Sequence, residues 1–428
     1  MRTGWIGECG RWARELIPVV VVGLGVCHLI RTRMLEWYLV PSRSMEPTLH
    51  GHPVRGDLVL VDKTAFWRRA PERYDLVVVR GSDDPHRPFL VKRAVAFGDG
   101  SLPWVSVIDG DLFLGRTRQL LQRDVKHPVA AGAMRVTHFE LGRASPQSAR
   151  DYFAPGPWRS LDREGMRLEL DPAAPTPAAL TALLTEPQPP RVPAGHLSTA
   201  RPIDTTFLDA EGERRGWAAL HRDIGVEFDA VVDGGGTALQ IVIEHRGTFY
   251  SCGYGADGAL SLTRDGVPLP AAAAAASAPT EAGDASWQAA SGPPLRPEAP
   301  IRFTFGYLDG WFFVEVAGVL LAHIHVELPQ GAWQPRGDRV HENAIHIGVA
   351  GGRLRLSCLR TFHDVYYRSL RGPIGADPCV ELAPGSMFLL GDNSRDSHDS
   401  RMGRTYSWGD LVGRPIAIIG PPARMRWL

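Results

Sequence analysis

Between Asp223 and Phe362 the chain repeats one pattern: short runs in which apolar and polar side chains alternate, cut by Gly, Asp and Pro. "DIGVEFDAVV", "TALQIVIEHR", "TFYSCGYG", "ALSLTRDG", "IRFTFGYLDGWFFVEVAG", "VLLAHIHVEL", "IHIGVAGG" and "RLRLSCLRTF" all read this way. On an extended strand a period of two turns one face of each run to a core and the other to water, whereas on a helix of 3.6 residues per turn the same alternation scatters the apolar side chains around the axis. Strands this short and this closely spaced predict an antiparallel, jelly-roll-like β-sandwich and a mainly β chain.

At 428 residues the chain exceeds one ordinary core, so a second domain is expected. Upstream, "GDLVLVDK", "YDLVVVR" and "FLVKRAVAF" are further strands, and "VIDGDLFLGRTRQL" is a hairpin around Gly110-Asp111 or Gly115. Residues 149–202 are rich in Pro and Ala and are expected to be loop and short helix. The Ala/Pro-rich stretch 268–300 is expected to be one long loop. Because catalytic-looking sequence resumes near Pro384, the sandwich is predicted to be an insertion, 131–367, in a first domain made of 36–130 and 368–428.

Lys plus Arg (47) balances Asp plus Glu (47), which leaves no global field to recruit nucleic acid. The five cysteines (Cys9, Cys27, Cys252, Cys358, Cys379) have no C-x-x-C spacing, which argues against structural zinc or a dithiol centre. A Cys252–Cys358 bridge stays open outside the cytosol, and free buried thiols are the favoured reading. Leu16 to Ile30, "LIPVVVVGLGVCHLI", is apolar but shorter than a simple span, so the expected anchor is extended to 16–35, with 1–15 cytoplasmic. A buried core helix and an interfacial helix are the alternatives. Arg2, Arg11 and Arg14 before it nearly match Arg31, Arg33 and Arg43 after it, so charge alone does not orient the span.

Three constellations carry chemistry. A serine hydroxyl needs a group to take its proton, and Ser44 with Lys92 is such a pair. Apolar neighbours in "FLVKRAVAF" disfavour the ammonium form of Lys92, which would suit it as a base; a surface lysine on an edge strand is the alternative, and the favoured one for Lys92 taken alone. In "SRSMEPT" an extended segment turns Ser42 and Ser44 the same way, so one hydroxyl attacks while the other, with the Ser44 amide, holds the oxyanion. A Ser N-cap on a short helix is the bland alternative. "GDNSRDSHDSRMG" lacks the Gly and Glu of a calcium loop, and adjacent His398 and Asp399 diverge too far to serve in a triad.

Together "PSRSMEPTL", "FLVKRAVAFGD" and "LGDNSRDSHDSRMG", in that order, resemble the motifs of bacterial type I signal peptidases, the S26-type serine endopeptidases. The resemblance covers roughly 15–120 and 370–428. It implies Ser44 as nucleophile, Lys92 as general base, and Ser42 with Ser44 as oxyanion hole. Ser397 orients the lysine, Asp399 and Arg401 form a supporting ion pair, and Gly391, Asp392 and Asn393 shape the turn behind the site. Val40, Pro41, Met45, Leu49, Leu90 and Val91 fall where the family builds pockets for small side chains.

The implied protein is a single-pass enzyme of the cytoplasmic membrane, catalytic domain outside, cutting signal peptides of exported preproteins after A-x-A sites without metal or cofactor. Membrane lipid and signal peptides are the implied partners, and nucleic acid is not. The insertion resembles concanavalin- or laminin-G-like sandwiches. A glycan or protein ligand on exposed aromatics among Tyr250, Tyr254, Trp311 and Phe312, and a metal at His323 and His325, are the minor readings for it; aromatics at alternating positions read mostly as core, and the two histidines as satisfied sheet residues. A self-cleaving Ser-Lys autoprotease and a catalytically degenerate, membrane-tethered binding module are the alternatives for the whole chain. The apolar anchor speaks against the first, the intact Ser44, Lys92 and Ser397 set against the second.

Overall fold

In the computed structural model the alternating runs pair into sheets, and the chain divides into two compact units: Met1–Asp124 with Tyr367–Leu428, and Val125–Tyr366. The structure describes residues 16, 17, 19–25, 28, 33–81, 89–99, 101–108, 110–124, 126, 132, 134–141, 152–154, 158–161, 167–170, 196–200, 203, 204, 206–208, 213–215, 223–233, 236–245, 248–269, 271, 272, 287, 288, 291–297, 299–325, 343–368 and 379–428. Among them no helix is long and apolar enough to cross a membrane. Residues 16, 17, 19–25 and 28 of the expected anchor are helical, Leu35 already belongs to a strand, and 18, 26, 27 and 29–32 lie outside the described residues.

The first unit rests on β1 (Leu35–Leu39), β2 (Leu58–Asp62), β3 (Leu76–Arg80), β4 (Phe89–Phe97), β5 (Ser386–Leu390), β6 (Tyr406–Ser407), β7 (Leu411–Gly420) and β8 (Arg426–Trp427). Their order is β1-β2-β7-β3-β4-β5-β6, with β8 on β7, so strands from both ends of the chain interleave. β3 is a continuous valine run because both of its faces are covered. Val78 joins a core with Val40, Met45, Leu49, Val59, Val61 and Ile418, while Val77 and Val79 join Ala94, Met387, Leu389 and Tyr406 on the opposite side. Trp104–Ile108, Asp111–Gly115, Leu121–Arg123 and Val380–Glu381 form a small separate sheet. The hairpin's tight turn falls just before Asp111, with Gly110 at φ +99, a conformation that glycine adopts at little cost.

The second unit contains an eight-stranded and a six-stranded sheet enclosing one core. Phe228, Phe303, Phe305 and Phe312 come from the first sheet, and Ile241, Ile243, Tyr250, Cys252 and Ile347 from the second. Two expectations need correction, the loop and short helix of 149–202 and the burial of Cys358. The stretch 149–202 contains strands at Trp158–Ser160, Arg167–Leu170 and Leu197–Ser198. Arg167–Leu170 pairs with the long strand Arg353–His363, a partner that local composition does not reveal. Tyr250, Tyr254 and Phe312 are core residues, in line with the favoured reading of aromatics at alternating positions, because their phase turns them inward. Half-buried Trp311 packs against His323 and His325 at ring-centroid distances of 5.5 and 5.0 Å. Cys252 is free and buried, whereas Cys358 is free and exposed, at φ +52 in a bulge of its own strand, where two residues, Cys358 and Leu359, stand against Phe228 alone. Cys379 is also free; Cys9 and Cys27 lie outside the described residues.

Candidate active site

β4 runs against β3 with Lys92 directly opposite Val77, and Leu90 and Ala94 flank the lysine on the same face. That face is the apolar side shared with β5, so the sequence delivers a lysine into a hydrocarbon setting. Its side chain is 2 % exposed. Burial pushes the amine down to about 8; the Asp399 carboxylate opposes the shift, Arg401 reinforces it, and Asp392 opposes it. At pH 7 about one molecule in ten then carries a free amine, against about one in three thousand for an ordinary lysine. Lys92 Nζ donates to Ser397 Oγ at 2.8 Å, joining residues 305 positions apart.

Ser44 sits in a single 3-10 turn, Arg43–Met45, and not on the extended segment expected from "SRSMEPT". Ser42 occupies the position before that turn without capping it, and its hydroxyl donates to Ser44 Oγ at 3.4 Å. The Ser44 carbonyl accepts the Asn393 N–H at 3.0 Å, which fastens the serine loop to the C-terminal motif. Among the described residues the Ser44 hydroxyl bonds to Ser42 and the Lys92 amine to Ser397; they do not bond to each other.

Gly391 explains how closely these pieces approach. A methyl group built there would lie 2.1 Å from Ser397 Oγ and 2.5 Å from the Ser44 carbonyl oxygen. Gly391→Ala is therefore expected to displace Ser397 from Lys92 and to lower stability by about 1–3 kcal/mol, read by thermal unfolding. An alanine variant as stable as the parent would contradict the packing described.

Two buried ion pairs hold the arrangement. Asp399 takes Arg401 Nε at 2.8 Å and Nη2 at 2.7 Å, and also accepts the Gly391 N–H at 3.0 Å. Asp392 takes Arg93 Nε at 2.9 Å and Nη2 at 2.6 Å, plus the Thr48 hydroxyl at 2.5 Å. One carboxylate thus ties together the serine loop, the lysine strand and the C-terminal turn. Arg93 and Thr48 carry no sequence signal for this role, because their partner lies on a distant segment. Asn393 also donates its amide to Asp396, and exposed His398 takes no part.

The expected pocket residues separate by depth. Val40, Met45 and Leu49 are core, Pro41, Leu90 and Val91 half-buried. Along β4 the period of two sends Leu90 to one core and Val91 to the other.

Residues 13–100 match the family model for signal peptidase, peptidase S26. The chain is 37 % identical over 68 residues to the probable signal peptidase I of Mycobacterium leprae, covering 16 % of this chain and 24 % of that protein. It is 30 % identical over 125 residues to thylakoidal processing peptidase 1 of Arabidopsis thaliana, covering 26 % and 34 % respectively. It therefore spans about a quarter of the length of the mycobacterial relatives it matches (24 %). Among solved structures, a Bacillus subtilis protein of unknown function with a galectin-like fold gives a TM-score of 0.31 at 9 % identity, over 54 % of this chain and 98 % of that one. The Pseudomonas aeruginosa alginate lyase PA1167 gives 0.26 at 14 %, over 54 % and 97 %. Likeness this distant assigns no function to the second unit.

Proposed function

We propose that the protein is a membrane-tethered signal peptidase that cuts exported preproteins after small residues, with Ser44 as nucleophile and Lys92 as general base. The observation that carries the reading is a lysine amine held in an apolar setting, its pKa lowered, and hydrogen-bonded to Ser397 beside the Ser44 loop. A neutral amine takes the Ser44 proton as the hydroxyl attacks, and Ser42 with the Ser44 amide receives the developing negative charge. Substrate docking brings hydroxyl and amine into contact, since catalytic hydrogen bonds are often long before substrate arrives. Lys92 hands that proton to the amine that departs as the peptide bond breaks, and its free amine then takes a proton from the water that hydrolyses the acyl-enzyme.

Tethering is supported by exposed apolar side chains of the first unit. Leu16, Ile17, Val19–Val22 and Leu24 are all exposed. Trp37, Leu60, Ala417 and Trp427 form one row across β1, β2, β7 and β8, with both tryptophans facing solvent. Tryptophan favours the boundary between water and lipid, where a membrane-held signal peptide presents its scissile bond.

The test is a pH–rate profile on a preprotein with an A-x-A site. Activity requires the unprotonated amine, so kcat/KM is expected to rise about tenfold per pH unit in acid and to level off near pH 8. A midpoint near the ordinary lysine value of 10.5 would remove Lys92 from the mechanism. Stability follows the opposite logic. Burial penalises the ammonium form, so the penalty is complete below about pH 8 and fades as pH climbs to 10.5. Lys92→Met is thus expected to stabilise the unit at pH 7 by up to about 3 kcal/mol, less about 1 kcal/mol for the lost Ser397 bond. Urea unfolding at pH 7 and at 10.5 should show the gain disappearing at the higher pH.

A further inference from the structure

We propose that Asp124 and Arg368, the two roots in the first unit where the chain leaves it and where it has just returned, are positioning residues for Lys92. The inference rests on Lys92 serving as the base of the proposed peptidase.

At the departing root, the buried Asp124 carboxylate takes Arg73 Nη1 at 2.6 Å and the Tyr74 hydroxyl. Tyr74 has φ +74, in the left-handed region that an aromatic side chain rarely adopts, at about 1–3 kcal/mol. In that conformation its N–H reaches the Ala94 carbonyl at 2.5 Å and its carbonyl receives Arg93 Nη1 at 2.8 Å. Tyr74 therefore grips β4 at the two residues that follow Lys92. Arg93 in turn neutralises Asp392.

At the returning root, Arg368 acts through its backbone. Its N–H donates to Ser394 Oγ at 2.6 Å, and its carbonyl accepts Arg401 Nη1 at 2.7 Å. Arg401 also bonds the Ser394 hydroxyl and carbonyl and forms the pair with Asp399. The three charges acting on the lysine are Asp399, Arg401 and Asp392. Each is reached from a root through a short series of hydrogen bonds.

The chain has only three lysines, Lys63, Lys92 and Lys126, so full-length protein labelled with 15N-lysine allows the Lys92 titration to be followed by NMR without substrate. Tyr74→Phe, Asp124→Asn and Ser394→Ala are each expected to raise the Lys92 midpoint by about 0.5 pH unit or more. The direction follows because Asp392 or Asp399, less neutralised by its arginine, holds the lysine's proton more strongly. Tyr74→Phe and Asp124→Asn together should shift it no further than either alone, since they cut one connection. In cleavage assays kcat should fall with KM unchanged within about twofold.

Ser386→Ala, which deletes a hydroxyl bonded to the Ala383 carbonyl at 2.6 Å, should lose stability without moving the midpoint. Midpoints unmoved within about 0.1 pH unit in all three root variants, with unfolding still weakened, would reduce these bonds to structural ones and overturn the inference. A parent midpoint near 10.5 would instead defeat the base assignment itself.

Discussion

Ser44→Ala and Lys92→Ala are each expected to lower kcat/KM for an A-x-A preprotein on the order of 10⁴-fold or more, with folding retained. The serine loop is held by its backbone, through the Ser44 carbonyl and Asn393, so loss of the hydroxyl removes chemistry and not architecture. Lys92→Ala leaves a space beside Leu90, Ala94 and Val77 but no unpaired charge, and Ser397 keeps its place against Gly391. Because both residues act on one proton, the double variant should be scarcely worse than either single one. Gel-based cleavage and circular dichroism on the same samples decide it. Unchanged cleavage in either variant would dismiss the dyad, and a parent that fails to cleave would revive the binding-module reading.

Asp392→Asn is expected to destabilise the first unit by about 3–5 kcal/mol, because it strands the Arg93 guanidinium, 2 % exposed, without a counter-charge. Arg93→Met should cost a similar amount by stranding the carboxylate, though Thr48 still donates to it. The combination Arg93→Met with Asp392→Leu should recover much of the loss, since a well-packed apolar pair replaces a buried ion pair at little net cost. Activity should not return with it, because Thr48 and Tyr74 lose the partners that align the serine loop and β4. Urea unfolding of the three proteins separates these outcomes. Equal stability of Asp392→Asn and the parent would show that water reaches the pair.

The strands and their faces could be read from local pattern, because a period of two is a property of neighbouring residues. "FLVKRAVAF" carries its own apolar frame, so the lowered affinity of Lys92 for its proton follows from where the strand must lie. Other features could not be read in this way. "SRSMEPT" reads as extended, yet Arg43–Met45 forms a turn whose middle residue, Ser44, is tied to Asn393 by a backbone bond, while Val40 just before it bonds Asp57. The inward phase of Tyr250, Tyr254 and Phe312 depends on which strand face meets the other sheet, which composition does not state.

Sequence alone therefore determined the β character of the chain, the apolar surroundings of Lys92 and the residue types from which a Ser-Lys site is made. Tertiary structure alone decided which of them meet: Lys92 with Ser397, Arg93 with Asp392, Ser44 with Asn393. The physical reason is range. Alternation and burial preference act over a few residues, whereas each of these contacts joins segments separated by the whole second unit and exists only once β5 and β7 have paired with strands from the other end of the chain.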